Sequence, residues 1–561
     1  MTRITALVPL LFIALPGPAA PPRPAIVNAV ADVYRSFLPD QEKLGGMIGS
    51  RLAANSEGYI EHISPASEDV TKESTAIDLD AAAYTFEYKR DPQVNAVMTQ
   101  LARRIISAIG STDSGESTGV PEWSDQQIWT YGADLRGLLN YYRITADSSA
   151  FTAAGSIGNL FLSARHQVKD LASLAPAIEP MVHLYRFTEE RKYLNFCTAV
   201  AEAWIHAKRP ELPITYSNLT VLNGLVELYR ADGDNSIFRV PLQAWTTMEA
   251  SGFSLTGVPI KTFRETQEAP DACTTGAWLQ LSLNLLRITG QAVYSEQLER
   301  TIYNQLFAAQ DSRTGAVLSP VGWSGKKQVA NASACAANEI RALAELPFVV
   351  WGRFGNGIAV NLYSDGRTTV NLRRRGTIHL YIETNYPESG TILLHIEPDH
   401  PIHFPLRLRV PDWAGKFTAD VGFDHFVGKP ADYVTLNRNW KKGDTIKIEM
   451  PLQARVIPGI DGFSSEIAVA RGPQVLALGK PLNPQISDFA AVAVEPPESA
   501  KPWLTAVATN FAANWMGEQA YSIPGTYDGR PRKLVLVPFA DAIDYRVWLA
   551  KSKASSGASA R

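Results

Sequence analysis

Three cysteines in 561 residues are too few for a scaffold held by disulfides, and an odd number leaves at least one thiol without a partner in the chain. A surplus of basic charge is also lacking. Lys and Arg number 53 against 56 Asp and Glu, a net charge of −3, so no overall positive field gathers nucleic acid or an anionic membrane. No apolar run reaches the roughly 20 residues of a membrane-spanning helix. No Gly-rich phosphate loop lies between a strand and a helix, so no nucleotide cofactor is expected. What is present, 45% hydrophobic and 19% charged residues, suffices for a large core and for two to four domains at roughly 150 residues each. Uncharged, polar partners suit such a chain.

The opening MTRITALVPLLFIALPGPAA sets Arg3 before a short apolar block, Ile4 to Leu15, and then small residues, the pattern of an export signal over residues 1–20. Delivery to the periplasm or the medium is the expectation, and an uncleaved interfacial anchor is the other outcome of the same pattern. In an exported chain Cys273 and Cys335 are either one disulfide, with Cys197 a buried core thiol, or free thiols that can hold a metal or attack carbon.

A helix-ending phrase recurs: FEYKRDPQV at Phe86, LLNYYRITAD at Leu138, MVHLYRFTEERKYL at Met181, LVELYRADGD at Leu225 and LNLLRITGQAVY at Leu283. Each carries apolar residues at helical spacing, a basic residue near its end, a turn signal and a new helical start. The spacing of Arg143, Arg186, Arg230 and Arg287 fits one helical hairpin per unit. Repeated hairpins stack as an open solenoid or close into a ring, and the unequal loops favour a ring of about six pairs. Beyond Phe348 the chain alternates apolar and polar residues with frequent Pro and Gly turns, as strands do. YVTLNRNWKKGDTIKIEMPL, Tyr433 to Leu452, reads as a hairpin around Lys442-Gly443-Asp444. The expected class is mainly α plus β, an (α/α)6 barrel followed by C-terminal β-sandwich domains. Barrel residues are 36–346, a sandwich 347–455, a second β-rich domain or strands packing back on the barrel 456–550, and a disordered tail 551–561.

Candidate chemistry gathers before two helices. Asp271 and Cys273 stand where a helix begins at about Thr274, and Cys335 stands in a loop before a helix that starts near Asn338. A helix start favours ionised carboxylate and thiolate. If the ring brings both starts to one end, Asp271, Cys273 and Cys335 offer three zinc ligands with one position open. Alternatively Asp271 merely caps its helix. Glu265 and Glu268, on an irregular segment just upstream, are candidate proton donors for glycosidic cleavage or else solvated loop charges. Trp129, Tyr131, Asp134 and Tyr216 can line a sugar cleft by stacking and hydrogen bonding, or belong to the core.

LGGMIGSRLAANSEGYIEH (Leu44 to His62), IDLDAAAYTF (Ile77 to Phe86), YSNLTVLNGLVELYRADGD (Tyr216 to Asp234), DACTTGAWLQLSLNLLRITG (Asp271 to Gly290), ERTIYNQLFAAQ (Glu299 to Gln310), EIAVARGPQVLALG (Glu466 to Gly479) and LVPFADA (Leu536 to Ala542) resemble, in order, landmarks of glycoside hydrolase family 127, the β-L-arabinofuranosidase group. The resemblance implies an (α/α)6 barrel with β-sandwiches and retaining hydrolysis of β-L-arabinofuranosides or related sugars in oligosaccharides or polysaccharides. It also implies a zinc-bound cysteine nucleophile, with a glutamate and two more cysteines as the other ligands, and a separate glutamate as acid/base. The family's Glu-x-Cys resembles Asp271 and Cys273, its adjacent cysteine pair resembles Ala334 and Cys335, and its acid/base resembles Glu265, with Glu268 as reserve.

The departures fall on one site. Alanine stands at the nucleophile's matched position, Ala334; Asp271 replaces a glutamate; Ile214 stands where a sugar-contacting histidine is usual; and Asp78 replaces a frequent tryptophan. Three readings follow: a hydrolase in which Cys335 takes the nucleophile role, a glycosidase that uses Glu265 or Glu268 with Asp271 and no zinc, and a glycan-binding protein without turnover.

Overall fold

The recurring phrase is the reversal between an inner and an outer helix. In the structure, a computed structural model that describes residues 24, 28–63, 72–112, 123–207, 213–251, 255–259, 271–372, 376–460, 463–495, 503–508 and 516–552, a residue with positive φ follows each phrase's charged residue by three. These are Arg90, Ala146, Glu189, Gly233 and Gly290, with φ between 54° and 83°. Each closes its helix with a backbone N–H to the carbonyl four residues back, as Gly233 does to Tyr229 at 2.8 Å. The left-handed residue turns the chain sharply enough for the next helix to start within two or three positions.

The helices are α1 (Gly46–Gly58), α2 (Lys72–Lys89), α3 (Pro92–Thr112), α4 (Asp125–Thr145), α5 (Ser148–Ala164), α6 (Ile178–Thr188), α7 (Arg191–Ala207), α8 (Tyr216–Asp232), α9 (Asn235–Ser251), α10 (Ala272–Thr289), α11 (Ala292–Thr301) and α12 (Ala334–Ala344). The even-numbered helices pack neighbour to neighbour, and α12 returns to α2 to close the ring. Each has an outer partner next in sequence, except that α12 is backed by α1 from the start of the chain. This is an (α/α)6 barrel. No described helix is long and apolar enough to cross a membrane. The inner helices run the same way, so their N-termini share one end, the mouth, and the left-handed turns lie at the other, the base. Side-chain caps mark the mouth: Ser124 forms a capping box with Gln127, and Thr215, Asp271 and Ser333 accept from backbone N–H groups of α8, α10 and α12. Each such cap is worth about 1 kcal/mol. Between the layers, Trp245 of α9 stacks on Trp278 of α10 with centroids 5.5 Å apart.

Two antiparallel-rich sheets follow, one of five strands and one of seven, with alternating burial that faces the apolar residues of both toward a shared core. Each sheet also takes an edge strand from the N-terminal segment: Tyr34–Ser36 pairs with Trp351–Phe354, and Glu42–Leu44 pairs with Gly366–Asn371. The expected hairpin around Gly443 does not form. Asp432–Trp440 pairs with Ile402–Val410 in one sheet, whereas Asp444–Glu449 pairs with Thr391–Pro398 in the other. The Lys-Gly-Asp turn crosses the sandwich, which buries Trp440 and Ile446 from opposite sides; alternation alone cannot tell this corner from a hairpin.

From Ala454 to Lys551 the chain forms a ten-stranded sheet that includes Ser324–Lys326, from the segment between α11 and α12. It rests on the barrel through Asn304, whose amide donates to Pro473 O at 2.9 Å and accepts from Val475 N at 2.7 Å. Sandwich and barrel are locked by the fully buried Arg409, which donates to Glu296 Oε1 at 2.6 Å, to Glu299 and to the Asn361 carbonyl. Burial raises the Glu296 carboxyl to about 7 against the pull of Arg409.

Candidate active site

The mouth brings α10 and α12 side by side. Asp271, the residue before α10, accepts from Thr274 N at 2.6 Å. The capping role considered for it is therefore present, and its carboxylate also faces the two cysteines. Ser333 caps α12, so that helix begins at Ala334 rather than near Asn338, and Cys335 lies in its first turn rather than in a loop. A single Ser with small residues behind it starts the helix four positions ahead of the charged stretch that marked it in sequence.

Asp271, Cys273 and Cys335 hold their ligand atoms within 4.8 Å of one another. Cys273 and Cys335 are joined as a disulfide with Cα atoms 4.8 Å apart, and Cys197 is a buried thiol of α7, outside any disulfide, whose pKa burial pushes up. Asn338 Nδ2, one turn into α12, donates to the Ala334 carbonyl at 3.0 Å and to Cys273 Sγ at 3.5 Å. This buried amide was missed in sequence because it read as part of the helix start. Cys335 is partly exposed and opens onto a cavity of about 100 Å³ lined also by Asp271, Thr275, Gln305 and Ser333. One carboxylate and two thiolates form a donor set that suits zinc. The set fits the metal only when both sulfurs are reduced, because disulfide sulfurs carry no charge to donate.

Trp129, in the first turns of α4, stacks on Tyr216, the first residue of α8, with centroids 5.2 Å apart and planes at 26°. Both rings belong to the first turns of inner helices, at the mouth end. Tyr131 and Asp134 lie on other faces of α4. Tyr131 meets Trp123, which stacks on Phe161 of the outer layer, and Asp134 is buried close enough to Tyr131 to help raise its pKa after burial itself. Glu265 and Glu268 lie outside the described residues. Asp78, at the departure from the family's tryptophan, is buried on α2, and burial raises its carboxyl to about 7.

A ring of six helical hairpins with a cluster of one carboxylate and two cysteines at its mouth and a sandwich behind it defines the (α/α)6 class of barrel proteins. Comparison with known proteins narrows this class. Residues 68–342 match the model of the GH127 β-L-arabinofuranosidase catalytic domain, and residues 357–452 match that of the GH127 middle domain. The chain belongs to glycoside hydrolase family 127. Among solved structures it is similar to a GH127 β-arabinofuranosidase, at TM-score 0.79 and 18% identity over 93% of this chain and 98% of that one. It is also similar to a protein described as a glycoside hydrolase, at TM-score 0.76 and 16% identity over 94% and 100%. A GH127 β-L-arabinofuranosidase from Geobacillus stearothermophilus T6 matches at TM-score 0.72 and 15% identity over 91% and 100%. No curated protein matches by sequence.

Proposed function

We propose that this chain is an exported glycosidase acting on β-L-arabinofuranosides or related sugars of complex glycans, with Cys335 as the attacking group. The meeting of Asp271, Cys273 and Cys335 at the barrel mouth carries this reading. Because Ala334 occupies the matched nucleophile position, attack falls to the cysteine one residue on. With the sulfurs reduced, the Cys335 thiolate bonds to the anomeric carbon as the glycosidic C–O bond breaks, and the departing oxygen takes a proton from Glu265, with Glu268 in reserve. Water then displaces sulfur at the same carbon and returns a proton to that glutamate, so two displacements retain configuration. A zinc ion on Asp271, Cys273 and Cys335 would hold both sulfurs as thiolates and place positive charge beside them. Trp129 and Tyr216 supply a stacking face for the sugar, with Tyr131 and Asp134 behind it. Export rests on the N-terminal apolar pattern, and a disulfide suits an oxidising compartment.

One observation favours a second reading, glycan binding without turnover: the disulfide occupies both sulfurs. The two are separated by assaying 4-nitrophenyl β-L-arabinofuranoside with the oxidised protein, the protein reduced by a dithiol in the presence of zinc, and the Cys335→Ser variant. Turnover that appears on reduction and is absent from Cys335→Ser is expected. Turnover by Cys335→Ser in chelator would move the chemistry to carboxylates, and binding without product under every condition would leave the binding reading alone.

A further inference from the structure

The base of the barrel holds a second cavity of about 360 Å³, at the opposite end of the inner helices from the cysteines. Its walls come from the repeated phrase. The charged residue three before each left-handed turn (Glu87, Arg143, Arg186, Arg230, Arg287) sits one helical turn below another inward residue (Tyr84, Asn140, His183, Glu227, Asn284). The ions among them form a linked network in which Glu227 and Asp32 are shared by Arg186, Arg230 and Arg287. Arg143 makes two bonds to Glu87, at 2.8 and 2.7 Å; Glu227 accepts from Arg186 at 2.6 Å and from Arg230 at 2.7 Å; Asp32, from the segment crossing the base, binds Arg230 at 2.9 Å and Arg287 at 3.2 Å. Deeper in, Arg136 binds Glu179 at 2.9 Å, and Arg341 binds Asp80 at 2.5 Å and Glu345 at 3.1 Å, so that the six arginines of the network face six carboxylates.

Hydrogen-bonding capacity is left over. Among the described residues, Arg136 Nε and Arg186 Nε are buried without a partner, and Arg186 is 8% exposed. Among the described residues, the His183 ring reaches no partner closer than Glu227 Oε2 at 3.8 Å, which is too long for a hydrogen bond. The rings of Tyr84, Phe187 and Phe348 also line the cavity, with Asn28, Leu38 and Leu139.

These features select the chemistry of an occupant. The volume lies in the range of small-ligand pockets, above the roughly 30 Å³ of one water. A charged ligand would enter a site whose ions already cancel and would leave one charge unmatched. An apolar ligand would leave the arginine N–H groups unsatisfied at about 1–3 kcal/mol each. A neutral ring or chain bearing several hydroxyls, with C–H faces for the aromatic walls, meets both demands.

We propose that the base cavity is a binding site for a neutral monosaccharide or polyol, distinct from the glycosidase site at the mouth. It uses none of the mouth's residues and stands whether or not the chain hydrolyses glycosides. The test titrates L-arabinose, D-galactose and glycerol into the full-length protein by calorimetry, with crystals of each mixture. Trp129→Ala alters the mouth; His183→Phe fills the base, and Tyr84→Phe serves if that variant does not fold. The expected result is ligand density against Arg136 and Arg186, with binding that survives Trp129→Ala and weakens roughly tenfold or more in the base variant, the loss of about one hydrogen bond or of the space itself. Ordered water alone in the cavity at saturating ligand, or binding abolished by Trp129→Ala and untouched by the base variant, would overturn it.

Discussion

Removing the link between Cys273 and Cys335 should cost the barrel a calculable part of its stability. The two residues are 62 apart in sequence, and opening a loop of that length releases chain entropy worth about 4 kcal/mol at room temperature. Spread over a barrel of roughly 300 residues, each contributing about 2.1 cal/mol/K to the entropy of unfolding, this lowers Tm by about 7 °C. Differential scanning calorimetry should compare the oxidised protein, the same protein under a dithiol reductant, and Cys335→Ala. Cys197 is unchanged in all three and provides the thiol control. The two perturbed samples should fall together. Zinc added to the reduced wild type should recover part of the loss, because a ligand that binds only the folded state stabilises it by mass action, whereas Cys335→Ala, one ligand short, should recover less. A shift below about 1 °C in both samples would refute the reasoning, since a closed loop of this length cannot be opened without releasing that entropy.

Asp78 is ionised inside the folded protein at a cost. Its folded pKa, about 7, lies above the ordinary 3.8, so the cost is fully present above the folded value and gone below the unfolded one. Asp78→Asn should therefore stabilise the protein at alkaline pH by up to about 4 kcal/mol and change little near pH 4; equal urea midpoint shifts at both pH values would contradict this. Arg409→Ala leaves Glu296 and Glu299 buried without their cation and should cost about 3 to 5 kcal/mol, partly restored by adding Glu296→Gln and Glu299→Gln. A neutral effect in denaturant unfolding would mean that the cluster does not couple sandwich to barrel. At Gly315, φ is +73° and an added Cβ would lie 2.0 Å from the Ala54 carbonyl oxygen, so Gly315→Ala should cost about 1–3 kcal/mol and loosen α1, read by hydrogen exchange in that helix.

The barrel was legible in the sequence because its units repeat a physical device. In YRITAD, YRFTEE, YRADGD and LRITGQ, an inward charge is followed three residues later by the turn that ends the helix, and the spacing survives even where Ala146 or Glu189 takes the glycine's place. The strands past Phe348 were legible from alternation, but which sheet each joined was not. Lys442-Gly443-Asp444 makes the same local turn whether the chain pairs with itself or crosses to the facing sheet, and only the long-range pairing of Ile402–Val410 and Thr391–Pro398 decides. Tyr34–Ser36 and Glu42–Leu44 carried no periodic signal, because three residues are too few to show one. At the mouth, the approach of Asp271, Cys273 and Cys335 was an expectation from helix starts, and the geometry bears out their proximity. Their bonding state was not readable, since the same three residues serve a disulfide or a metal and the choice depends on redox conditions. His183 and Arg136 went unnoticed although the repeat places both, one and two turns back from a basic or acidic neighbour.

The two short N-terminal strands have a consequence for how the chain comes off the ribosome. Tyr34 pairs with Phe354 and Lys43 with Arg367, so each strand waits for a partner made more than 300 residues later. At about 5–20 residues per second, that interval is roughly 15 to 60 seconds. During it α1 can form, but the segment ahead of it has no sheet to join, and α12, which α1 must back, is also unmade. The ring therefore closes last at the seam between its beginning and its end. A nascent chain halted before residue 334 would present a helical arc with an open flank and two strands whose partners do not yet exist.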